Sequence, residues 1–305
     1  MKAKQQMFQW MIHVFFIAVV CACLLPFLLL AVTSFSDEMT LLQEGYSFLP
    51  SKFSLAAYEY LWRDAENIVR AYGITVLVTV VGTFVGLSIT ALCAYPLSRR
   101  DMPMRKPLSF IVFFTLLFNG GLVPTYLVYT QLFDMKNSIL ALIIPGLLSN
   151  GFYVLIMRTF FTSSIPVPVI ESASMDGAGE YKIFFRIVLP LSPPILATVG
   201  LMQTIGYWND WFNGLVYITD NKLFSLQNML NRILLNAQFL TSGAMGNNTE
   251  VSASANIPME SVRMAMAVIG TVPAAVRVSV LSKIFRQRAC HRRSQRVGYI
   301  RPGPV

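Results

Sequence analysis

Residues 11–32, MIHVFFIAVVCACLLPFLLLAV, contain no Asp, Glu, Lys or Arg. As a helix this run is about 33 Å long, enough to cross a hydrocarbon core of about 30 Å. It follows Lys2 and Lys4, as the apolar region of a signal peptide would, but it outlasts the roughly 7–15 residues such a region needs. An uncleaved first membrane helix is expected. The composition agrees, because only 13% of the 305 residues are charged, about half the share of a soluble domain.

Further apolar runs at about 71–96, 107–130, 138–161, 191–216 and 261–285 give six expected spans and an all-α integral membrane protein. Basic residues collect at Lys2 and Lys4, in SRRDMPMRK (98–106), in 162–190 with Lys182 and Arg186, and in the tail from Lys283. The segments 33–70, 131–137 and 217–260 hold fewer and are richer in Asp and Glu. The positive-inside rule then places both termini and 162–190 in the cytoplasm. That distribution also accounts for the net charge of +9, so no nucleic acid partner is expected. The expected domains are 1–32 (tail and first helix), 33–70 (extracytoplasmic loop), 71–285 (a five-helix core with cytoplasmic loop 162–190 and outer loop 217–260) and 286–305 (basic tail).

Several chemistries are excluded. Cys21, Cys23, Cys93 and Cys290 have neither metal-ligand nor disulfide-framework spacing, and His13 and His291 are isolated. The chain has no G-x-x-x-x-G-K-[ST] phosphate loop, GAGEYK (177–182) being too short and wrongly ended. It should therefore bind no cofactor or metal and should not itself be an enzyme.

Two spans contain breaks, one with Asn119, Gly120, Gly121 and Pro124, the other with Pro145, Gly146, Asn150 and Gly151 just before Tyr153. Irregular backbone at membrane depth must be buried in protein or line a wet cavity. These residues point to a substrate path, or else to close helix packing through small residues. In GYWNDWFNGLVYI (206–218), Trp208 and Trp211 fit either interfacial anchors or sugar-stacking platforms. Asn209 and Asp210 join the candidate path, although Asp210 would also be at home at the outer interface.

The polar segment ESASMDGAGEYKIFFRIVLP (171–190) separates two late spans. After Pro166 and Pro168, residues 169–175 can form about two helical turns. Gly177 and Gly179 break them, with Asp176 or Gly177 available to cap a second helix from about Glu180 that stops at Pro190. Ile183 with Ile187, and Phe184 with Val188, would give that helix an apolar stripe, while Lys182 and Arg186 are like charges four residues apart.

Glu171, Ala173, Gly177, Ile187, Leu189 and Pro190 match the E-A-A-x3-G-x9-I-x-L-P loop, with Ser172 where the pattern has its first alanine. The chain thus resembles permease subunits of binding-protein-dependent ABC importers. FSDE (35–38), AYPLSRR (94–100), FNGGLVPTY (118–126) and IMRTFF (156–161) extend the likeness to the second permease of maltose-type carbohydrate systems and their polyuronate-type branch. The resemblance implies a type I ABC importer permease fold in a bacterial inner membrane, with a coupling helix that docks on an ATPase through Glu171, Ser172, Ala173, Met175, Asp176 and Gly177. It implies as partners a second homologous permease, two ATPase subunits that bind ATP and Mg, an extracytoplasmic solute-binding protein and membrane lipid. The cargo would be an oligo- or polysaccharide, including acidic ones such as alginate, moved by alternating access. The long polar stretch 240–256 would reach toward the binding protein or be a solvated linker. After Pro273 the likeness is lost abruptly in a basic tail, which suits either an anionic leaflet or a frame-shifted or engineered end. The competing class is an ATP-independent carrier or channel, motivated by the broken helices alone.

Overall fold

A computed structural model describes the backbone of residues 2–243 and 260–271 and the side chains of 6–235 and 260–271. Among the described residues the structure is helical apart from turns and one isolated bridge between Ser36 and Phe53. Two helices are individually long and apolar enough to cross a membrane, and up to five spans result if each of three bent helix pairs is one crossing. The sixth expected span, 261–285, is helical over 260–271, and its remainder lies outside the described residues.

The chain divides into two compact units. The first joins residues up to Ala65 with those from Arg232 onward. Its helix α1 (Lys2–Thr33) exposes apolar side chains all round, as a lipid-facing span requires. The segment after α1 then folds back: Asp37 N–H donates to Lys52 C=O at 3.1 Å and Ser54 N–H to Phe35 C=O at 2.8 Å. Asp37 caps the short α2 (Glu38–Glu44) by accepting from Thr40 N–H, and α3 spans Ala56–Arg63. Glu38 in turn caps helical residues 260–271, accepting from the N–H groups of Glu260 and Ser261, both at 2.9 Å.

The second unit runs from Glu66 to Asn231. It is organised by α4 (Ala65–Ser98), whose buried face carries Ala71, Thr75, Val78, Thr79, Gly82, Gly86, Thr90 and Ala94 at helical spacing. Burying the threonine hydroxyls is tolerable because each donates to a carbonyl one turn back, as Thr79 does to Thr75 at 2.6 Å. This small-residue face lets α12 (Pro193–Trp208) approach closely. Gln203 donates to Thr90 at 3.3 Å, and the Tyr207 ring lies 2.5 Å from where a Cβ on Gly82 would be.

The spans 107–130 and 138–161 are broken where their glycine, asparagine and proline clusters lie, and 191–216 is broken as well. α5 (Arg105–Leu117) stops before Asn119, and α6 (Leu122–Leu127), continued by a wide turn at Val128–Leu132, leaves at 114°. A short α7 (Leu140–Ile143) precedes an irregular stretch and then α8 (Gly151–Ser164). α12 ends at Trp208, before a separate α13 (Phe212–Tyr217). Mean apolarity does not distinguish a straight span from a bent one; the glycine, asparagine and proline breaks do. The segment 217–260, expected as a loop, contains the 18-residue α14 (Leu226–Gly243), while 244–256 of its polar stretch and the tail beyond 271, including Arg277, Cys290 and His291, lie outside the described residues.

Candidate coupling site and substrate path

The expected two-turn helix is α9 (Val167–Met175), which leaves α8 at 80°. Ile165 precedes a proline and adopts extended backbone, which turns the chain there, while Pro168 fits the first helical turn. Ile170 is buried at 8% and Ala173 packs against the same core cluster, one turn further on. The opposite face carries Glu171, Ser172 and Met175 to the exterior, and Asp176 and Gly177 follow, also exposed. Met175 is 88% exposed, an apolar side chain held away from any core. Of the six expected docking residues, Ala173 alone turns inward, where its small size lets α9 lie close to the cluster.

The helix ends in a closed hydrogen-bonded stop. Gly177 has φ +74°, its N–H donates to Ser174 C=O, and Ala178 N–H donates to Ala173 C=O, each at 3.0 Å. Asp176 and Gly177 therefore terminate α9 instead of capping the next helix, whose N-cap is Gly179.

The following arm is α10 (Glu180–Ile183), a wide turn at Phe184–Val188 and α11 (Leu189–Leu191). Pro190 does not stop it. A proline has no N–H and collides with the carbonyl four residues back; the backbone widens instead, Leu189 N–H donating to Phe184 C=O five residues away. The break comes at Ser192, which is fully buried and donates through Oγ to Val188 C=O at 2.7 Å, and α12 then leaves at 83°. Ile183, Phe184 and Val188 are buried with Ile187 beside them, while Lys182 and Arg186 are exposed.

One group of residues carried no sequence signal of its own. Glu180 accepts from the Tyr95 hydroxyl at 2.5 Å and from Arg99 at 3.2 Å, and Arg99 also donates to Asp101 at 2.8 Å. They border a cavity of about 640 Å³ with Leu92, Pro96, Met102 and Tyr181 in its walls. Tyr95 and Arg99 lie in AYPLSRR and Glu180 begins α10, but 81 or more residues separate them from Glu180, too far for spacing to pair them.

The candidate path residues are each placed by local bonds. Asn119 accepts from Gly121 N–H at 3.0 Å, with Gly120 open to the exterior between them. Asn150 caps α8 by accepting from Phe152 N–H at 2.9 Å, and Tyr153 packs on the core cluster. Trp208 is 4% exposed, Asn209 is exposed, and Asp210 accepts from Asn213 N–H at 3.2 Å. Two tethers hold the corner between α12 and α13 against the end of α7 and the second break: Tyr207 O–H donates to Ile143 C=O at 3.0 Å, and Asn213 to Pro145 C=O at 2.9 Å. Trp208, Asn209 and Asp210 are thus gathered beside the Pro145 break. Among the described residues no group of His, Cys, Asp and Glu could hold a metal.

Comparison with known proteins gives a consistent picture. A family model described as the binding-protein-dependent transport system inner membrane component matches residues 86–289, and so extends beyond Pro273. The chain is 35% identical, over 94% of its length and 97% of the relative's, to the polygalacturonan/rhamnogalacturonan transport system permease protein YtcP of Bacillus subtilis (strain 168). It is 36% identical to Protein LplC of the same organism, over 86% of each chain. A crystal structure of a bacterial ABC transporter involved in the import of the acidic polysaccharide alginate contains a chain that superimposes with a TM-score of 0.75. That likeness covers 92% of this chain and 97% of the other, at 27% identity.

Proposed function

The chain belongs to the family of inner-membrane components of binding-protein-dependent transport systems, and we propose from this that it imports an oligo- or polysaccharide, preferentially an acidic one. It is an ABC permease subunit of type I fold, a multi-pass membrane protein, and membership of the family sets aside the ATP-independent carrier. The preference for an acidic cargo is supported by two relatives of high coverage, one named for polygalacturonan and rhamnogalacturonan and one for alginate.

The observation that carries the coupling role is α9 itself. It is a nine-residue helix with one face anchored by Ile170 and Ala173 and the other offering Glu171, Ser172 and Met175, locked at its end by Gly177. In this reading a partner ATPase, with ATP and Mg bound to it and none to this chain, docks there on the cytoplasmic side. Nucleotide binding drives transport because the partner interacts differently with the inward- and outward-facing forms. A second permease completes the cavity, a solute-binding protein delivers the saccharide, and both termini are cytoplasmic. Asn119, Gly120, Asn150, Tyr153, Trp208, Asn209 and Asp210 line the path or shape the breaks that form it.

The test is ATP hydrolysis in liposomes by this chain assembled with its co-encoded permease, ATPase and binding protein, with acidic or neutral oligosaccharides. Stimulation by acidic sugars is expected. Stimulation by neutral sugars alone would retain the importer and discard the acidic cargo, and no association with an ATPase would remove the coupling assignment.

A further inference from the structure

We propose that Glu180 is a positioning residue that carries movement of α9 into α4 through Tyr95 and Arg99, an assignment that rests on the importer reading above. Glu180 opens α10 directly after the Gly177 stop, with Ala178 and Gly179 between. Its two oxygens are used separately: Oε2 accepts from the Tyr95 hydroxyl at 2.5 Å, and Oε1 from Arg99 Nη2 at 3.2 Å. Tyr95 lies on the last turn of α4, and Arg99 follows that helix's final residue, Ser98.

An exposed ion pair by itself contributes little. This one has a buried component, because Tyr95 is 8% exposed and its ring centroid lies 5.2 Å from that of Phe184, one turn after Glu180. Arg99 is also held from two sides, donating to Asp101 at 2.8 Å, and its side chain is 17% exposed. The end of α4 therefore grips this arm at two points one turn apart, at Glu180 by charge-assisted hydrogen bonds and at Phe184 by ring packing. The apolar cluster behind α9 resists separation but permits sliding, whereas directional bonds to a carboxylate fix the register of α10 on α4. With the α9–α10 junction closed by its own hydrogen bonds, little slack remains between the docking face and this clamp.

The assembled importer, reconstituted in liposomes, distinguishes positioning from a merely structural role through sugar taken up per ATP hydrolysed. Tyr95→Phe, Glu180→Gln, Glu180→Ala and the double variant Tyr95→Phe/Glu180→Ala are compared with the unaltered chain. All are expected to retain their ATPase subunits on purification. Uptake per ATP should fall about fivefold or more in Glu180→Ala and less in Glu180→Gln, which keeps an acceptor for Tyr95. The double variant should be no worse than Glu180→Ala. A wild-type ratio in Glu180→Ala, or additive losses in the double variant, overturns the proposal. If Glu180→Ala does not insert, Tyr95→Phe, which preserves the ring, decides alone, a wild-type ratio overturning the proposal. Absence of stimulated hydrolysis in the unaltered chain overturns the importer reading and this proposal with it, whereas the other negative outcomes overturn this proposal only.

Discussion

Gly82 and Gly177 are glycines for opposite reasons. At Gly82 the constraint is external, since a Cβ would meet the Tyr207 ring at 2.5 Å, and Tyr207 is held in place by its bond to Ile143. Gly82→Val is therefore expected to cost about 1–3 kcal/mol by overpacking. A lowered thermal unfolding midpoint in detergent would show it, and an unchanged midpoint would mean that the ring moves aside freely. At Gly177 nothing lies within 4 Å, and the constraint is the positive φ of the chain itself. Gly177→Val should leave insertion intact while loosening the α9 stop, seen as hydrolysis that no longer depends on loaded binding protein. Gly177 was legible in the sequence because its distance from Glu171 and Pro190 is meaningful. Gly82 was not, because a glycine within an apolar run gives no indication of which ring will face it.

At the scale of the element, the helix breaks were readable and the helix directions were not. The Asn119–Pro124 and Pro145–Gly151 clusters marked where hydrogen bonding fails, but a 114° turn leaves the same hydropathy trace as a straight rod. Pro190 shows a different limit: a rule that ends helices at proline misses the alternative of widening the backbone by one residue, which the chain adopts at Phe184–Val188. Asn150 offers a test that separates two roles in one side chain. As the N-cap of α8 it can be replaced by serine, an equally good cap, with little change in stability, whereas alanine costs about 1 kcal/mol. If capping is its whole role, uptake by Asn150→Ser should match the unaltered chain. Slowed uptake in a serine variant of normal thermal stability would identify the amide as part of the sugar path.

Across the whole molecule, class, membrane character and family were all accessible from apolar runs, basic-residue placement and one twenty-residue loop. The Tyr95–Glu180–Arg99 group was not, because it forms only when the fold brings distant segments together. Orientation can be checked on a variant whose native cysteines are replaced. Met175→Cys, at an 88% exposed position, should react with a membrane-impermeant maleimide only from the cytoplasmic side, and Met39→Cys, 61% exposed on α2, only from the outer side. Labelling of both from one side would reject the assigned topology. The bend at Ser192 gives the second unit the character of a bell crank. One arm, Glu180–Leu191, is about 18 Å long and the other, α12, about 24 Å, set at 83° about a pivot that is fully buried and bonded to Val188. If the corner keeps its 83° angle and turns about Ser192, a 1 Å displacement of the Glu180 end corresponds to roughly 1.3 Å at the Trp208 end, in the ratio of the arm lengths set by the helical rise. Such a turn would carry a displacement at the α10 end, slightly enlarged and redirected through nearly a right angle, to the corner that Tyr207 ties to Ile143 and Asn213 to Pro145.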